Sequence, residues 1–314
     1  MSEGKELKVA LKEEPLKPQK RLSPTSINTY FECPRKYFYT YIAKIKIKPS
    51  IHLVKGMVVH KALEDFFRGY RKNLEEHMVK RLENAWKKHY KDLRDLELPA
   101  EELETAKEDC LGMVTEYYIA LDRKMKMLQK VGKASNEAHA YYLLKPKFRE
   151  LWIEDKDLHL CGYIDRVHQD YDGIVTLGDY KTSSKYGVGL ESKYKRQLAL
   201  YSLLYANKEK SLPHYVAVIF LRYGEEYLLE VTPSLLKLAR ETVRYVYGHT
   251  RSVDIEDYPL KEGKLCRWCT FNKICSGEEE WEKVLREQKL KKIVEEREKK
   301  EKKEKSKKVE EDVL

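Results

Sequence analysis

Two aspartates and a lysine lie on a predicted β-hairpin. Apolar residues alternate with other residues over 158–167 and 174–181, and the turn-forming sequence Asp-Tyr-Asp-Gly separates the two runs. In this hairpin the numbers of facing positions add up to about 344, which makes Asp165 and Asp179 cross-strand neighbours. Lys181 follows Asp179 by two residues and therefore projects from the same face of its strand.

Carboxylates that face each other repel, so the pair requires either a raised pKa or a cation between them. A hard divalent ion such as Mg²⁺ is held by one or two carboxylates, with water or phosphate oxygens completing its shell. Lys181 would then suit an anionic substrate bound to that ion. Glu150, on the preceding predicted strand, is a candidate further ligand. The structural alternative is a solvated Asp165 and an Asp179 that forms only a salt bridge with Lys181.

Three cysteines near the C-terminus, Cys266, Cys269 and Cys275, form a C-x2-C-x5-C array. Their close spacing indicates metal binding, and a site of this kind requires a fourth thiolate. The candidates are Cys33, Cys110 and Cys161. Cys33 is preferred because it lies between the end of a predicted helix and Pro34, whereas Cys110 falls inside a helical run and Cys161 inside a strand. Spacing alone leaves zinc and a [4Fe-4S] cluster equally open. Either centre would tie the beginning of the folded body to its end.

The order of predicted helices and strands is that of a mixed α/β fold. Residues 1–22 are polar and rich in Lys and Glu, and we expect a flexible arm. Residues 23–275 form the predicted folded domain, with a strongly charged helical segment over 71–130 and sheet-like sequence from about residue 140. Residues 276–314 are a Glu/Lys tail, predicted to be partly helical and partly disordered.

Charged residues make up 36% of the chain, and the formal net charge is +10. Residues 276–314 contain equal numbers of acidic and basic residues, so the positive excess belongs to residues 1–275 and favours a polyanionic partner. Arg35 lies among tyrosines that could stack on nucleic acid, although such an aromatic stripe is also typical of a core. The sequence lacks a run of eighteen apolar residues and the apolar core of a signal peptide, so we expect a cytoplasmic protein without a membrane segment.

Six segments together resemble the RecB-like branch of the PD-(D/E)xK nuclease superfamily, and most closely its CRISPR-associated RecB-type exonucleases and the iron-sulfur nuclease domains of AddB-type enzymes. They are SPTSINTYFECPRKYFY, GMVVHKALE, GYIDRV, GDYKTSS, QLALY and the cysteine array. The resemblance covers about residues 23–275. Three departures are visible. Ile164 stands where the family's name-giving proline would precede the first aspartate, and Asp179 stands where close CRISPR-type relatives often have glutamate. The helical segment 71–130 is also longer than a minimal CRISPR exonuclease needs.

The resemblance implies a restriction-endonuclease-like core, in which helices flank a mixed central sheet and residues 71–130 form a helical insertion. It implies that a Mg²⁺ or Mn²⁺ ion is bound by His60, Asp165, Asp179 and the backbone carbonyl of Tyr180. It further implies that Lys181 positions or polarises the attacking water. The catalytic set is then His60, Asp165, Asp179 and Lys181.

The same resemblance implies that Gln197 and Tyr201, one helical turn apart, line the DNA site. The four cysteines, Cys33 included, would hold a [4Fe-4S] cluster that joins the N- and C-terminal parts. The expected function is a metal-dependent DNA exonuclease acting on single strands or DNA ends, in CRISPR spacer acquisition and antiviral defence or in DNA repair. A CRISPR integrase or a repair helicase is the expected partner, and the oligomeric state is left open. The alternative is a non-catalytic iron-sulfur or zinc DNA-binding adaptor.

Overall fold

A computed structural model describes residues 16–47, 49–183 and 192–311, with side chains described up to residue 296. The chain divides into two compact units. The larger consists of residues 21–28 and 48–247, and the smaller of the remaining described residues, which are 16–20, 29–47 and 248–311. No helix among the described residues is long and apolar enough to cross a membrane.

The described residues contain five strands, with helices before, between and after them along the chain. The helices are α1 (Pro24–Glu32), α2 (Pro34–Tyr37), α3 (Ile51–Phe66), α4 (Leu74–Lys88), α5 (Tyr90–Arg94), α6 (Ala100–Lys130), α7 (Glu137–Leu144), α8 (Ser192–Glu209), α9 (Pro233–His249), α10 (Asn272–Cys275) and α11 (Trp281–Glu311). The strands are β1 (Phe148–Asp155), β2 (Leu160–Gln169), β3 (Val175–Lys181), β4 (Tyr215–Phe220) and β5 (Glu225–Glu230).

The strands form one mixed sheet in the order β1-β2-β3-β4-β5. Neighbouring strands are antiparallel except β3 and β4, which are parallel, with α8 between them along the chain. Arg166 faces Gly178 and Val167 faces Leu177, so the numbers of each pair add up to 344 as predicted. Continued by one position, this register would pair Asp165 with Asp179, but the backbone ladder of the two strands ends at Arg166. The mixed α/β fold predicted from the sequence is confirmed.

The main core of the larger unit lies between the sheet and helices α3, α4, α6 and α7. The charged segment 71–130 thus contributes its apolar face to the same core as the strands. Cys110 on α6 is buried there, and burial raises the pKa of its thiol to about 12. Such a thiol is a packing residue rather than a metal ligand at neutral pH.

One local prediction was wrong. Sheet-like sequence was predicted from about residue 140, but Glu137–Leu144 form helix α7, which begins where the Asn136 side chain accepts a hydrogen bond from the backbone of His139. The adjacent tyrosines favour a strand by propensity, but Tyr141 is fully buried against Phe66 and Phe67, and this tertiary packing overrides the local preference.

The aromatic segment after Pro34 is helical, as its spacing predicts. Helix α2 contains four residues and continues as a π-helical turn over Phe38–Ile42. Within the smaller unit, Phe38 and Ile42 are almost fully buried, and the Phe38 ring lies 5.3 Å from that of Trp281 on α11. The aromatic stripe is therefore core. Gln288 of α11 also exchanges two hydrogen bonds of 2.8 Å with the backbone of Lys46.

Candidate active site

Asp165 lies where β2 and β3 separate, beyond the last backbone pair of the two strands. Its Oδ2 accepts a 2.7 Å hydrogen bond from the backbone N–H of Tyr180 on β3. The side chain is only 8% exposed. The carboxylate therefore takes the place of a backbone partner for β3, which fixes its position.

His60 on α3 faces this carboxylate from the other wall. Its Nε2 lies 3.2 Å from the Tyr180 carbonyl oxygen, and its Nδ1 lies 3.6 Å from Asp165 Oδ2 and 3.8 Å from Glu150 Oε1. Glu150 has a φ of 48°, a left-handed conformation that interrupts the regular pleat of β1. Within the described residues, His60, Glu150 and Asp165 are the one group of three whose ligand atoms all lie within 4.8 Å of one another. One imidazole nitrogen and two carboxylate oxygens are a donor set that suits Mg²⁺ or Mn²⁺.

Asp179 is adjacent to this group but has other partners. Its Oδ2 lies 2.6 Å from Lys181 Nζ, and its Oδ1 accepts a 2.9 Å hydrogen bond from Gln197 Nε2. Gln197 Nε2 also donates to Tyr201 Oη at 3.0 Å, and both of these side chains are buried. Gln197 and Tyr201 therefore orient Asp179, which in turn holds the ammonium of Lys181. Their contact with DNA, and the direct coordination of a metal by Asp179 or by the Tyr180 carbonyl, stay predictions.

The charges of the site are strongly coupled. Burial would raise the pKa of Asp165, but the His60 imidazolium and the Tyr180 amide outweigh it and hold that pKa below its ordinary value. Burial, with a contribution from the nearby Asp165 charge, raises the pKa of Asp179 to about 6. Burial disfavours the charged form of Lys181, but Asp179 outweighs it and raises the pKa of the lysine. Lys181 is thus cationic at neutral pH.

Metal binding should depend on pH through His60. Burial disfavours its charged form, but the Asp165 and Glu150 carboxylates outweigh this and raise its pKa to about 10 in the metal-free protein. An imidazole coordinates a metal only when neutral, so binding must release this proton. We expect the Mn²⁺ affinity to rise about tenfold per pH unit between roughly pH 7 and 9, as measured by calorimetry. An affinity that is constant over this range would remove His60 from the ligand set.

A partly buried ionic cluster supports the two walls of the site. Asp109 on α6 accepts a bidentate pair of hydrogen bonds from the Arg222 guanidinium, and its Oδ2 lies 2.6 Å from Lys55 Nζ on α3. Arg222 Nε donates at 3.0 Å to the carbonyl of Thr182, which directly follows Lys181. Asp109 thereby links the helix that carries His60 to the end of the strand that carries Lys181. No sequence signal pointed to it, because its partners are 54 and 113 residues away.

Replacing Asp109 by asparagine should lower the free energy of unfolding by about 2 kcal/mol, because two partly buried cations lose their common anion. Urea denaturation measures this change. Asp122→Asn is the matched control on the same helix: Asp122 pairs at 2.7 Å with Lys126, whose side chain is 73% exposed. The control should lose less than about 0.5 kcal/mol. Equal losses in the two variants would contradict a supporting role for Asp109.

A cavity of about 690 Å³ opens beside the metal-ligand group. It is lined by His60, Glu150 and Lys181, together with Thr25 and Ser183 among others. The space is large enough for a nucleotide-sized group, and His60, Glu150 and Lys181 would all contact a molecule bound there.

The four predicted cluster cysteines come together in the smaller unit. Cys33, Cys266, Cys269 and Cys275 line one open cavity of about 750 Å³. Burial and the charges of the other three cysteines raise the pKa of Cys275. Among these described thiols, no three sulfur atoms lie within 4.8 Å of one another.

The other candidates lie elsewhere. Cys161 is on β2, its Sγ 3.5 Å from the Leu22 carbonyl, and burial raises its pKa. Arg35 donates from Nε to the Tyr258 carbonyl at 2.7 Å and lies 4.0 Å from Glu256, so it takes part in the packing of the smaller unit. A contact of Arg35 with DNA stays a prediction.

Fold and site together define a protein with a mixed sheet in which adjacent strands present two aspartates and a lysine beside a divalent-metal donor set. The chain belongs to the PD-(D/E)XK nuclease superfamily, whose sequence profile matches residues 21–276. No curated protein matches the sequence significantly. Among solved structures, a protein from Eubacterium rectale described provisionally as an exonuclease aligns with a TM-score of 0.46 and 13% identity, over 81% of this chain and 88% of that chain.

Proposed function

We propose that the protein is a Mg²⁺- or Mn²⁺-dependent DNA exonuclease of the RecB-like branch. The observation that carries the proposal is the convergence of His60, Glu150 and Asp165 within 4.8 Å beside the Asp179–Lys181 pair. Phosphodiester hydrolysis requires activation of the water nucleophile and stabilisation of the charge that develops on the scissile phosphate. A cationic lysine next to a donor set for a hard metal ion can meet both requirements.

Each residue has a distinct task in this proposal. His60, Glu150 and Asp165 would hold the ion, which when bound activates water and stabilises charge on the phosphate. Lys181 donates hydrogen bonds to the attacking water or to a phosphate oxygen, and its ammonium is kept in place by Asp179. Gln197 in turn fixes the orientation of the Asp179 carboxylate. The net positive charge of the chain supplies a grip on the DNA backbone that does not depend on sequence.

Digestion of end-labelled DNA tests this function. Single- and double-stranded substrates, each labelled at one end, are incubated with Mn²⁺, Mg²⁺ or EDTA. We expect nucleotides to be lost from one end in the presence of Mn²⁺ or Mg²⁺, and EDTA to abolish this cleavage. DNA binding without any cleavage would instead favour the non-catalytic adaptor. CRISPR spacer acquisition or DNA repair, with an integrase or a helicase as partner, is the pathway that the RecB-like motifs suggest.

We further propose that the four cysteines hold a [4Fe-4S] cluster. The thiols of Cys33, Cys266, Cys269 and Cys275 line one cavity, which supports a common metal centre. The RecB-like motifs favour an iron-sulfur cluster over a single zinc ion as that centre.

Replacing Cys33 by serine should remove the cluster and lower stability, because Cys33 is the one ligand from the beginning of the chain. We expect about four irons per chain in the anaerobically purified protein and fewer than one in the variant, measured by iron and sulfide analysis. Cys161→Ser is the control and should keep the iron content unchanged. Stoichiometric zinc without iron would contradict the cluster.

A further inference from the structure

Two exposed aromatic side chains lie next to each other on strands β1 and β2. Trp152 faces Tyr163 across the two strands, and their ring centroids are 4.7 Å apart. Trp152 is 43% exposed and Tyr163 is 54% exposed, while the neighbouring Ile153 and Ile164 are buried. The pair therefore stands on the side of the ladder away from that buried row, and its rings are accessible to a ligand.

This aromatic pair is close to the metal ligands along the chain. Trp152 follows Glu150 by two residues, and Tyr163 precedes Asp165 by two residues on the facing strand. Two residues of a strand span about 7 Å, which is comparable with the length of one extended nucleotide. A base next to a phosphate held at the metal ligands would thus be within reach of these rings.

Arg21 is held beside Glu154, two residues beyond Trp152 on the same ladder. Glu154 faces Cys161 there, and its carboxylate lies 2.7 Å from Arg21 Nη2. The Arg21 side chain is 41% exposed, so its guanidinium has donors available for a second anion. The order along the ladder is proposed metal ligands, two tilted aromatic rings and a guanidinium, which matches the order of phosphate, base and phosphate in a single strand.

We propose that Trp152 and Tyr163 form a stacking subsite for a base of single-stranded DNA, with Arg21 contacting the next phosphate. This inference rests on the proposed nuclease function and specifies its substrate. Stacking on aromatic rings tolerates any sequence because every base has a π face, and it requires a base that is not already paired and stacked within a duplex. The subsite therefore favours single strands and frayed ends over intact duplex.

A binding experiment with two strands and two proteins isolates the stacking. Fluorescein-labelled oligothymidylate of twelve nucleotides, and an abasic strand of equal length, are titrated with the full chain. EDTA is present, so that the strands are not cleaved during the measurement. Wild type should bind oligothymidylate about tenfold more tightly than the abasic strand. Trp152→Ala should bind both strands alike, and Trp152→Phe should restore the preference. A Trp152→Ala protein that keeps the wild-type preference would overturn the subsite.

A matched control and a kinetic readout complete the test. Tyr171 is 80% exposed in the β2–β3 turn, and Tyr171→Ala should behave as wild type. In cleavage assays Trp152→Ala should raise KM for single strands about tenfold with kcat changed less than twofold. An equal rise for blunt duplex would contradict the single-strand assignment. Base-dependent binding by a wild type that does not cleave would refute the nuclease function and leave the subsite standing.

Discussion

Replacing Lys181 by methionine is expected to slow DNA cleavage about 1,000-fold at neutral pH while leaving Mn²⁺ affinity within a few-fold of wild type. Methionine keeps most of the side-chain volume against the Tyr194 ring, 5.7 Å from Nζ, but removes the ammonium. The transition state then loses a donor aimed into the cavity. Asp179 also loses the cation 2.6 Å away, and its pKa, already raised to about 6 by burial, rises further.

Lys193→Met is the matched control for this change. Lys193 lies on α8, and its Nζ is 4.8 Å from the same Tyr194 ring. The substitution therefore removes a charge from the same neighbourhood without touching Asp179, and cleavage should stay within a few-fold of wild type. Single-turnover cleavage of end-labelled DNA measures both variants. A Lys181→Met protein with the wild-type rate would show that the ammonium takes no part in the chemistry.

Asp165→Asn should lower the cleavage rate to less than about one thousandth of that of wild type, because one of the two carboxylates proposed to bind the metal is lost. The amide oxygen of asparagine can still accept the hydrogen bond from Tyr180 N–H, so the fold should be kept. The substitution also removes the largest charge that raises the pKa of His60, which should therefore fall. NMR titration of the imidazole follows this second effect.

The control for Asp165→Asn is Asp170→Asn. Asp170 is in the turn after the same strand, where its Oδ1 accepts from the backbone N–H groups of Asp172 and Ile174. It has the same chemistry and a similar structural role, but it does not belong to the metal-ligand group. Its variant should cleave at the wild-type rate, and loss of activity in both variants would point to damage to the hairpin instead.

The sequence predicted the parts of the site that depend on local periodicity. Alternation with a period of two and a turn of known type fix the register of a hairpin, so Asp165, Asp179 and Lys181 were placed correctly relative to one another. The same reasoning could not decide whether Asp179 faces the metal or Lys181, since both partners satisfy a buried carboxylate. The resulting Asp179–Lys181 pair is the contact that the structural alternative expected, although Asp165 is buried and not solvated.

Other parts depend on contacts that have no local pattern. Glu150 has a positive φ, and its side chain points toward His60. An alternating strand pattern does not predict such a backbone conformation. Asp109 reaches Arg222 over 113 residues, so only the packing of α6 on the sheet brings them together. Helix α7 was missed for a related reason, because the burial of Tyr141 decides its conformation.

The most direct test of the proposed metal centre is a calorimetric titration of wild type, Glu150→Gln and Asp165→Asn with Mn²⁺ at pH 8. If His60, Glu150 and Asp165 bind one ion together, wild type takes up one Mn²⁺ per chain at this site, and each variant binds it about 100-fold more weakly. Affinity and stoichiometry that are unchanged in both variants would show that these side chains do not form the metal centre.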